Sequence, residues 1–415
     1  MFDPVGSSVL VVEPVSGGAD VARLAHHLGM TVVIASQDVG DCEIPPDLRK
    51  LASVVLTVDT NDERTLFDVV AGHHEREPLA AVLPGCDFYV ATTARLAARL
   101  GLPGLPVETV DAVRNKARMR ERVAAAGLRT PRFAEASSPE ELRTAADAVG
   151  FPCVMKPVES SGSIHVSRAD DWARLAAAYA ALTGDRELDL GRPMGHTVVV
   201  EQYVAGEEVS TDGYVENGRV TVVAITGKVL GAEPRFVELG HLTPADLPDD
   251  VADEVVAYTD QVVRALNVTA GPFHCEVRLS DAGPVLMELG ARLPGDGIPE
   301  LIRLVTGTDL AAVMLAAGLG VGAAELPSFG PPAAPYAAMR FLTAGDLGSY
   351  SGIRGWDELD GRPEVIGRQL FIPPGTPVPQ TGDCRSRLAC VRYTAESHEA
   401  VLAFWKSLDD LAVLP

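Results

Sequence analysis

The segment from Pro272 to Gly290 constrains this chain more than any other. It reads Pro-Phe-His-Cys-Glu-Val-Arg-Leu-Ser-Asp-Ala-Gly-Pro-Val-Leu-Met-Glu-Leu-Gly. Phe273, Cys275, Val277 and Leu279 alternate with His274, Glu276 and Arg278, the period of a half-buried strand with the polar three on one face. Ser280-Asp281-Ala282-Gly283 has turn composition, with Gly placed for a left-handed residue. A loop from Asp281 to Gly283 pairs Ser280 with Pro284. It sets Glu276 directly opposite Glu288, and His274 opposite Gly290. Facing carboxylates destabilise a hairpin unless something compensates. A hard divalent cation shared with phosphates is one compensation. A solvated face with two unrelated acids is the plainer reading. Arg292, close behind Glu288, is suited to phosphate or carboxylate.

At 415 residues the chain exceeds one ordinary core, so two or three domains are expected. The net charge of −22 argues against nucleic acid or an anionic membrane as partner. An anionic substrate must then meet a local basic pocket. The cysteines at 42, 86, 153, 275, 384 and 390 form no CxxC pair and no zinc spacing. Most lie in apolar runs, as in a reduced, cytoplasmic protein, with a Cys384–Cys390 disulfide as the alternative. No basic stretch leads into a long apolar core at the start, and no apolar run reaches membrane length. Neither a signal peptide nor a membrane span is expected.

Residues 8–12 read as a buried strand, 19–28 as a helix and 31–35 as a second strand. This βαβ opening implies a parallel sheet. A strand at 80–83 and a helix at 89–100 follow, and the Pro/Gly run 101–106 closes the unit. One helix is expected over 110–126, started by Thr109 or Asp111 and ended by Gly127. Met119, Val123 and Ala126 would form its buried face. A smaller unit spans 131–200, with helices at 139–149 and 170–182 and strands at 152–157 and 196–201. Residues 201–325 read as antiparallel strands plus helices, 326–335 as a Pro-rich linker, and the remainder as short strands and a terminal helix. The expected domains are 1–110, 111–200, 201–325 and 326–415.

Lys156 ends the strand-like run Cys153-Val-Met-Lys-Pro. Ser160-Ser161-Gly162-Ser163 follows and offers N–H groups and hydroxyls as an anion nest, or else a plain turn. The loop is not a P-loop, and no protein-kinase motif set is present. Lys116 stands near a helix start, against the macrodipole preference, which favours an anion partner over a merely solvated cation. The strand ending Glu201-Gln202-Tyr203-Val204 opens into a bend whose backbone suits an adenine edge, with Glu208 placed for ribose hydroxyls. His241 is either structural or paired with Glu238 to orient a substrate.

Taken in order, Asn115-Lys116, Val154-Met-Lys156-Pro, the 160–163 loop, Glu201 to Val204 with Gly206-Glu-Glu208, and Glu276/Glu288 with Arg292 resemble the ATP-grasp superfamily. The chain looks closest to bacterial amino-acid ligases that make dipeptides, with carnosine-synthase-like enzymes near. That closeness rests on Phe236-Val-Glu-Leu-Gly-His241, His274-Cys-Glu276, Glu288-Leu-Gly-Ala-Arg-Leu-Pro-Gly-Asp296 and Arg340 in Ala-Ala-Met-Arg-Phe-Leu. The resemblance implies an α/β fold, α+β in part: a Rossmann-like parallel-sheet N-terminal domain, a small lid and a C-terminal antiparallel α+β domain. Lys116 and Lys156 would contact ATP phosphates, with Ser160, Ser161, Gly162 and Ser163 closing over them. Glu201 and Val204, with Gln202 and Tyr203 between, would hold adenine, and Glu208 the ribose. Glu276 and Glu288 would bind Mg²⁺ or Mn²⁺. Glu238, His241, Arg292 and Arg340 would face the amino-acid substrate, and Arg292, Glu288 and Lys156 would lie nearest the chemistry.

The implied activity is an ATP-dependent carboxylate–amine ligase working through an acylphosphate. The alternatives are a carboxylase of the biotin-carboxylase type and a non-catalytic nucleotide-binding protein. Partners would be a small amino acid or carboxylate plus an amine, without nucleic acid or membrane; a homodimer is compatible. Two positions depart from the family pattern: Gly290, where Asn is common, and His165, where a small residue is common.

Overall fold

Four apolar strands open the chain: β1 (Ser8–Val12), β2 (Thr31–Ser36), β3 (Val54–Thr57) and β4 (Leu79–Pro84). They are parallel, in the order β3-β2-β1-β4. β1 is buried throughout, as a strand covered on both faces must be. The helix Gly17–His27 buries Val21, Ala22, Leu24 and Ala25 against this sheet. The turns after β1 and β4 touch: Gly18 N donates to Gly85 O at 3.0 Å. A Cβ on Gly85 would fall 1.7 Å from Glu13 O, so the approach requires glycine. The computed structural model describes residues 4–326, 330–379 and 382–415.

The single helix expected over 110–126 is two helices, Val107–Arg114 and Lys116–Ala125. The break falls at Asn115, whose backbone is extended and whose side-chain oxygen accepts from Ala117 N and Arg118 N. This is an N-cap in the middle of an unbroken apolar pattern, so periodicity concealed it. Thr109 donates instead to Asn267 O, and Ala126 is exposed.

β5 (Phe133–Ala136), β6 (Cys153–Pro157) and β7 (Ser167–Ala169) come next, then the short hairpin β8 (Leu188–Asp189) and β9 (Arg192–Pro193), then β10 (Val198–Gln202). The antiparallel sheet β5-β10-β6-β7 packs on the helices Pro139–Val149 and Trp172–Gly184 around Leu142, Met155, Leu175 and Val198.

The largest layer is an antiparallel sheet of eight strands, ordered β15-β14-β11-β12-β13-β16-β19-β18. They are β11 (Glu207–Glu216), β12 (Arg219–Leu230), β13 (Glu238–Thr243), β14 (Gly271–Ser280), β15 (Gly283–Gly290), β16 (Tyr336–Thr343), β18 (Val365–Leu370) and β19 (Arg387–Ala395). β17 (Gly352–Arg354) pairs separately with β20 (Ala412–Leu414). Strands on both sides of the 326–335 segment thus share one sheet; of that segment, 327–329 lie outside the described residues. The helix Leu310–Leu319 is apolar all round because it lies between the N-terminal sheet and the large sheet. Among the described residues no single helix is long and apolar enough to cross a membrane. All six cysteines are unpaired, Cys384 and Cys390 included.

The β14–β15 hairpin pairs Glu276 with Glu288 and His274 with Gly290, as the sequence predicts. Its turn is tighter than expected, since Ser280 pairs with Gly283 and Leu279 with Pro284. A bulge at Met287 takes up the extra residue and restores the register at the acids.

Candidate active site

The three sheets converge on a cavity of about 350 Å³. The turns after β1 and β4 form one wall, the 160–163 loop a second, and the polar faces of β11 to β15 the floor.

At one end stand two lysines. The Asn115 cap turns Lys116 inward, where its Nζ donates to Ser160 O at 2.9 Å and to Glu288 Oε1 at 3.1 Å. Lys156 Nζ lies 3.0 Å from Glu201 Oε2, and Arg120 Nη2 lies 2.8 Å from Glu201 Oε1. Burial works to raise the Glu201 pKa, but the charges of Arg120 and Lys156 outweigh it and hold it below the usual value. The Glu201 side chain therefore fixes Lys156, and only its backbone is left for any contact with a base. Tyr203 does not line the cavity; its hydroxyl donates to Glu233 Oε1 at 2.6 Å, whereas Gln202 and Val204 do line it.

The 160–163 loop is closed. Gly162 and Ser163 are left-handed, with φ of 62° and 59°. Cys384 N donates to Gly162 O at 3.2 Å, and a Cβ on Gly162 would fall 2.4 Å from Cys384 Sγ. His165 lies behind the loop, its Nε2 2.7 Å from Asp185 Oδ2. Arg385 Nη1 donates to the same Asp185 oxygen at 3.2 Å and to Glu187 at 2.8 Å.

On the floor, Lys228 is almost fully buried, its Nζ 3.3 Å from Glu208, 2.5 Å from Glu238 and 2.6 Å from Glu276. Burial works to lower its pKa, but the three carboxylates raise it well above the ordinary lysine value. Glu208 also accepts from Arg278 Nε at 3.0 Å, and Arg278 Nη1 donates to Val204 O at 2.8 Å. His274 sits between Asp212, 2.6 Å from Nδ1, and Glu276, 3.2 Å from Nε2. Burial opposes its charge, yet these acids push its pKa up to about 9. Glu276 is held well below the usual carboxylate range: burial acts to raise it, and Lys228 and His274 overcome that.

Glu276 and Glu288 fit a hard divalent cation. Each keeps an oxygen without a partner among the described residues and lines the cavity. Both ring nitrogens of His274 are engaged with acids, so the donors are carboxylate oxygens, which suit Mg²⁺ or Mn²⁺.

Glu238, His241 and Asp296 also bring ligand atoms within 4.8 Å of one another. Cations already occupy them: Arg387 reaches Asp296 at 2.8 Å and Glu238 at 3.1 Å. His241 is fully buried, with Nε2 3.3 Å from Asp296 Oδ2 and Nδ1 without a partner among the described residues. This group is a polar wall rather than a metal centre.

Arg292 lines the cavity, but Arg340 does not. Strand alternation turns Arg340 to the other face of β16, where it donates to Asp409 at 2.6 Å and lies over the Trp405 ring. Arg387, which carried no signal in the sequence, stands behind that wall and is bonded to its Glu238 and Asp296. Lys228 and Arg120 were also missed, since a lone charge in a strand or helix looks the same whether it faces water or the interior, and Asp296, in a turn, was given no role.

The family described as ATP-grasp domain matches residues 149–300, and that described as ATP-grasp N-terminal domain matches 22–104. The chain thus carries an ATP-grasp domain preceded by an ATP-grasp N-terminal domain. It is 29% identical over 350 residues to an uncharacterized protein of Sinorhizobium fredii, covering 83% of this chain and 70% of that one. It is 31% identical over 253 residues to carnosine synthase 1 of Gallus gallus, which covers 58% of this chain but only 27% of that enzyme. The crystal structure of L-amino acid ligase from Bacillus licheniformis superposes with a TM-score of 0.83 at 24% identity, covering 99% of this chain and 100% of that one.

Proposed function

We propose that the protein is an ATP-dependent carboxylate–amine ligase that joins an amino acid or small carboxylic acid to an amine. One observation carries the reading: two lysines, a Ser/Gly loop, a facing carboxylate pair and an acid-lined wall share a single cavity. Among the similar proteins, a carnosine synthase and an L-amino acid ligase carry names that support this reading.

Lys116 and Lys156 would neutralise ATP phosphates, and the 160–163 loop would cover them. The backbone from Glu201 to Val204 would take adenine and Glu208 the ribose. Glu276 and Glu288 would hold Mg²⁺ or Mn²⁺, which supplies charge neutralisation on the phosphates. Arg292 would face the transferred phosphoryl group. A substrate carboxylate oxygen attacks the γ-phosphorus, the bond to the β-phosphate oxygen breaks, and ADP leaves. The amine then attacks the acyl carbon, the C–N bond forms and phosphate departs. Glu238, Asp296 and His241 form the wall for amino groups and for the proton shed. The protein's work here is positioning, charge stabilisation and exclusion of water from the acylphosphate. The unpaired cysteines suit a reducing, cytoplasmic setting.

The test is incubation with Mg²⁺-ATP and pooled amino acids and small acids, with mass spectrometry of the products. Substrate-dependent ADP, phosphate and an amide of condensed mass support the reading. Formation of AMP would overturn it.

A further inference from the structure

Asp87 lies in the turn after β4, on the N-terminal unit, whereas Arg292 follows β15 in the large sheet. Asp87 is buried, and its Oδ1 accepts from Arg292 Nε at 2.7 Å. Its Oδ2 forms an ion pair with Arg114, at the end of the helix before the Asn115 break. Arg292 Nη1 donates to Leu293 O at 2.8 Å. Its Nη2 has no partner among the described residues, and the side chain lines the cavity.

A guanidinium is planar, so fixing Nε and Nη1 fixes the direction of the remaining N–H groups. We propose that Asp87, held by Arg114, is the positioning residue of Arg292: it aims the Nη2 edge at the phosphoryl group in transfer. The inference rests on the ligase reading, which puts Arg292 at that group. Asp87 also lies between two cations that would otherwise repel. Burial lowers the Arg114 pKa to about 10, which leaves it charged at neutral pH. Arg114 is further fixed over the Phe88 ring, 5.3 Å from the centroid. The contact joins two sheets, so the arginine is correctly aimed only when the N-terminal unit is docked.

The test compares the affinity for ADP with that for ADP plus aluminium fluoride, a mimic of the transferred phosphoryl group, both with Mg²⁺. In Asp87→Asn, ADP affinity should stay within about twofold, while the gain from aluminium fluoride falls about tenfold or more. In an Arg292→Ala background the same change should add nothing, since two residues acting as one unit are not additive. An equal loss for ADP alone, no loss at all, or a full loss in the Arg292→Ala background overturns the inference. Should Asp87→Asn fail to fold, Asp87→Asn with Arg114→Met removes one buried charge of each sign and is judged by the same outcomes. A wild type that binds ADP but gains nothing from aluminium fluoride sinks the inference and leaves the nucleotide site standing. A wild type that binds no ADP sinks the ligase reading, and the inference with it.

Discussion

Glu276 and Glu288 face each other across the β14–β15 hairpin only because β15 bulges at Met287. Without the bulge, the tight Ser280–Gly283 turn would shift Glu288 by one residue and send its side chain to the opposite face. The hairpin thus accepts a local irregularity to keep two acids together at the cavity, a pattern associated with sites rather than with stability.

Glu288→Gln tests what that pairing is for. The substitution keeps volume and leaves Lys116 one neutral oxygen to bond. Mg²⁺-dependent ADP formation should fall by about two orders of magnitude or more. The melting temperature should change by no more than about 3 °C. Mn²⁺ titration followed by electron paramagnetic resonance should show weakened binding; wild-type Mn²⁺ affinity would remove Glu288 from the metal site.

Lys228→Met leaves Glu208, Glu238 and Glu276 without their shared cation. Stranding buried charge is costly, and about 3–5 kcal/mol of stability should be lost. Urea denaturation at neutral pH measures it. A loss below about 1 kcal/mol would mean that Arg278, Arg387 and His274 suffice to balance these acids without Lys228.

Much of the site was readable before any coordinates. Alternation over 273–279 separated the apolar core face from the cavity face that carries His274, Glu276 and Arg278, because a strand has only two faces. Alternation does not say which face meets a cavity, and Arg340 was misplaced for that reason. The Asn115 break was missed because apolar spacing runs on across the cap. Asp87, Arg120, Lys228 and Arg387 gain meaning only when separate sheets and helices pack, a long-range fact with no local signature.

Arg340→Ala should accordingly spare catalysis. Its partner Asp409 is largely exposed, and such a pair contributes about 1 kcal/mol or less. Steady-state kcat and KM should stay within about twofold of wild type. A tenfold loss of kcat/KM would return Arg340 to the substrate wall.

Glu201 predicts the acid limb of stability. Burial acts to raise its folded pKa, but the charges of Arg120 and Lys156 outweigh it and hold it below the ordinary glutamate value. A depressed folded pKa adds stability that is complete above the unfolded value and is lost as pH falls through the folded one. Stability of the wild type should therefore drop below about pH 4.5. Glu201→Gln should be less stable at pH 7 and show a shallower acid limb. Parallel limbs in the two proteins would show that Glu201 does not titrate on unfolding.

Behind the closed loop, Arg385 reaches from the segment before β19 to Asp185, which His165 also meets, and to Glu187. Asp185 is itself held down at about 2; burial acts to raise it, but its hydrogen bonds, including those from His165 and Arg385, prevail. Arg385→Ala removes the side chain that ties Asp185 and Glu187 to the C-terminal segment. The loop should then open more often and admit water. Under the ligase reading, ADP formed without amide product should rise several-fold, because an acylphosphate exposed to water hydrolyses. Protection of residues 160–166 in hydrogen exchange should fall in parallel. The ratio of amide to ADP is the deciding quantity: if it stays at the wild-type value while exchange quickens, the loop moves but is not what keeps water out.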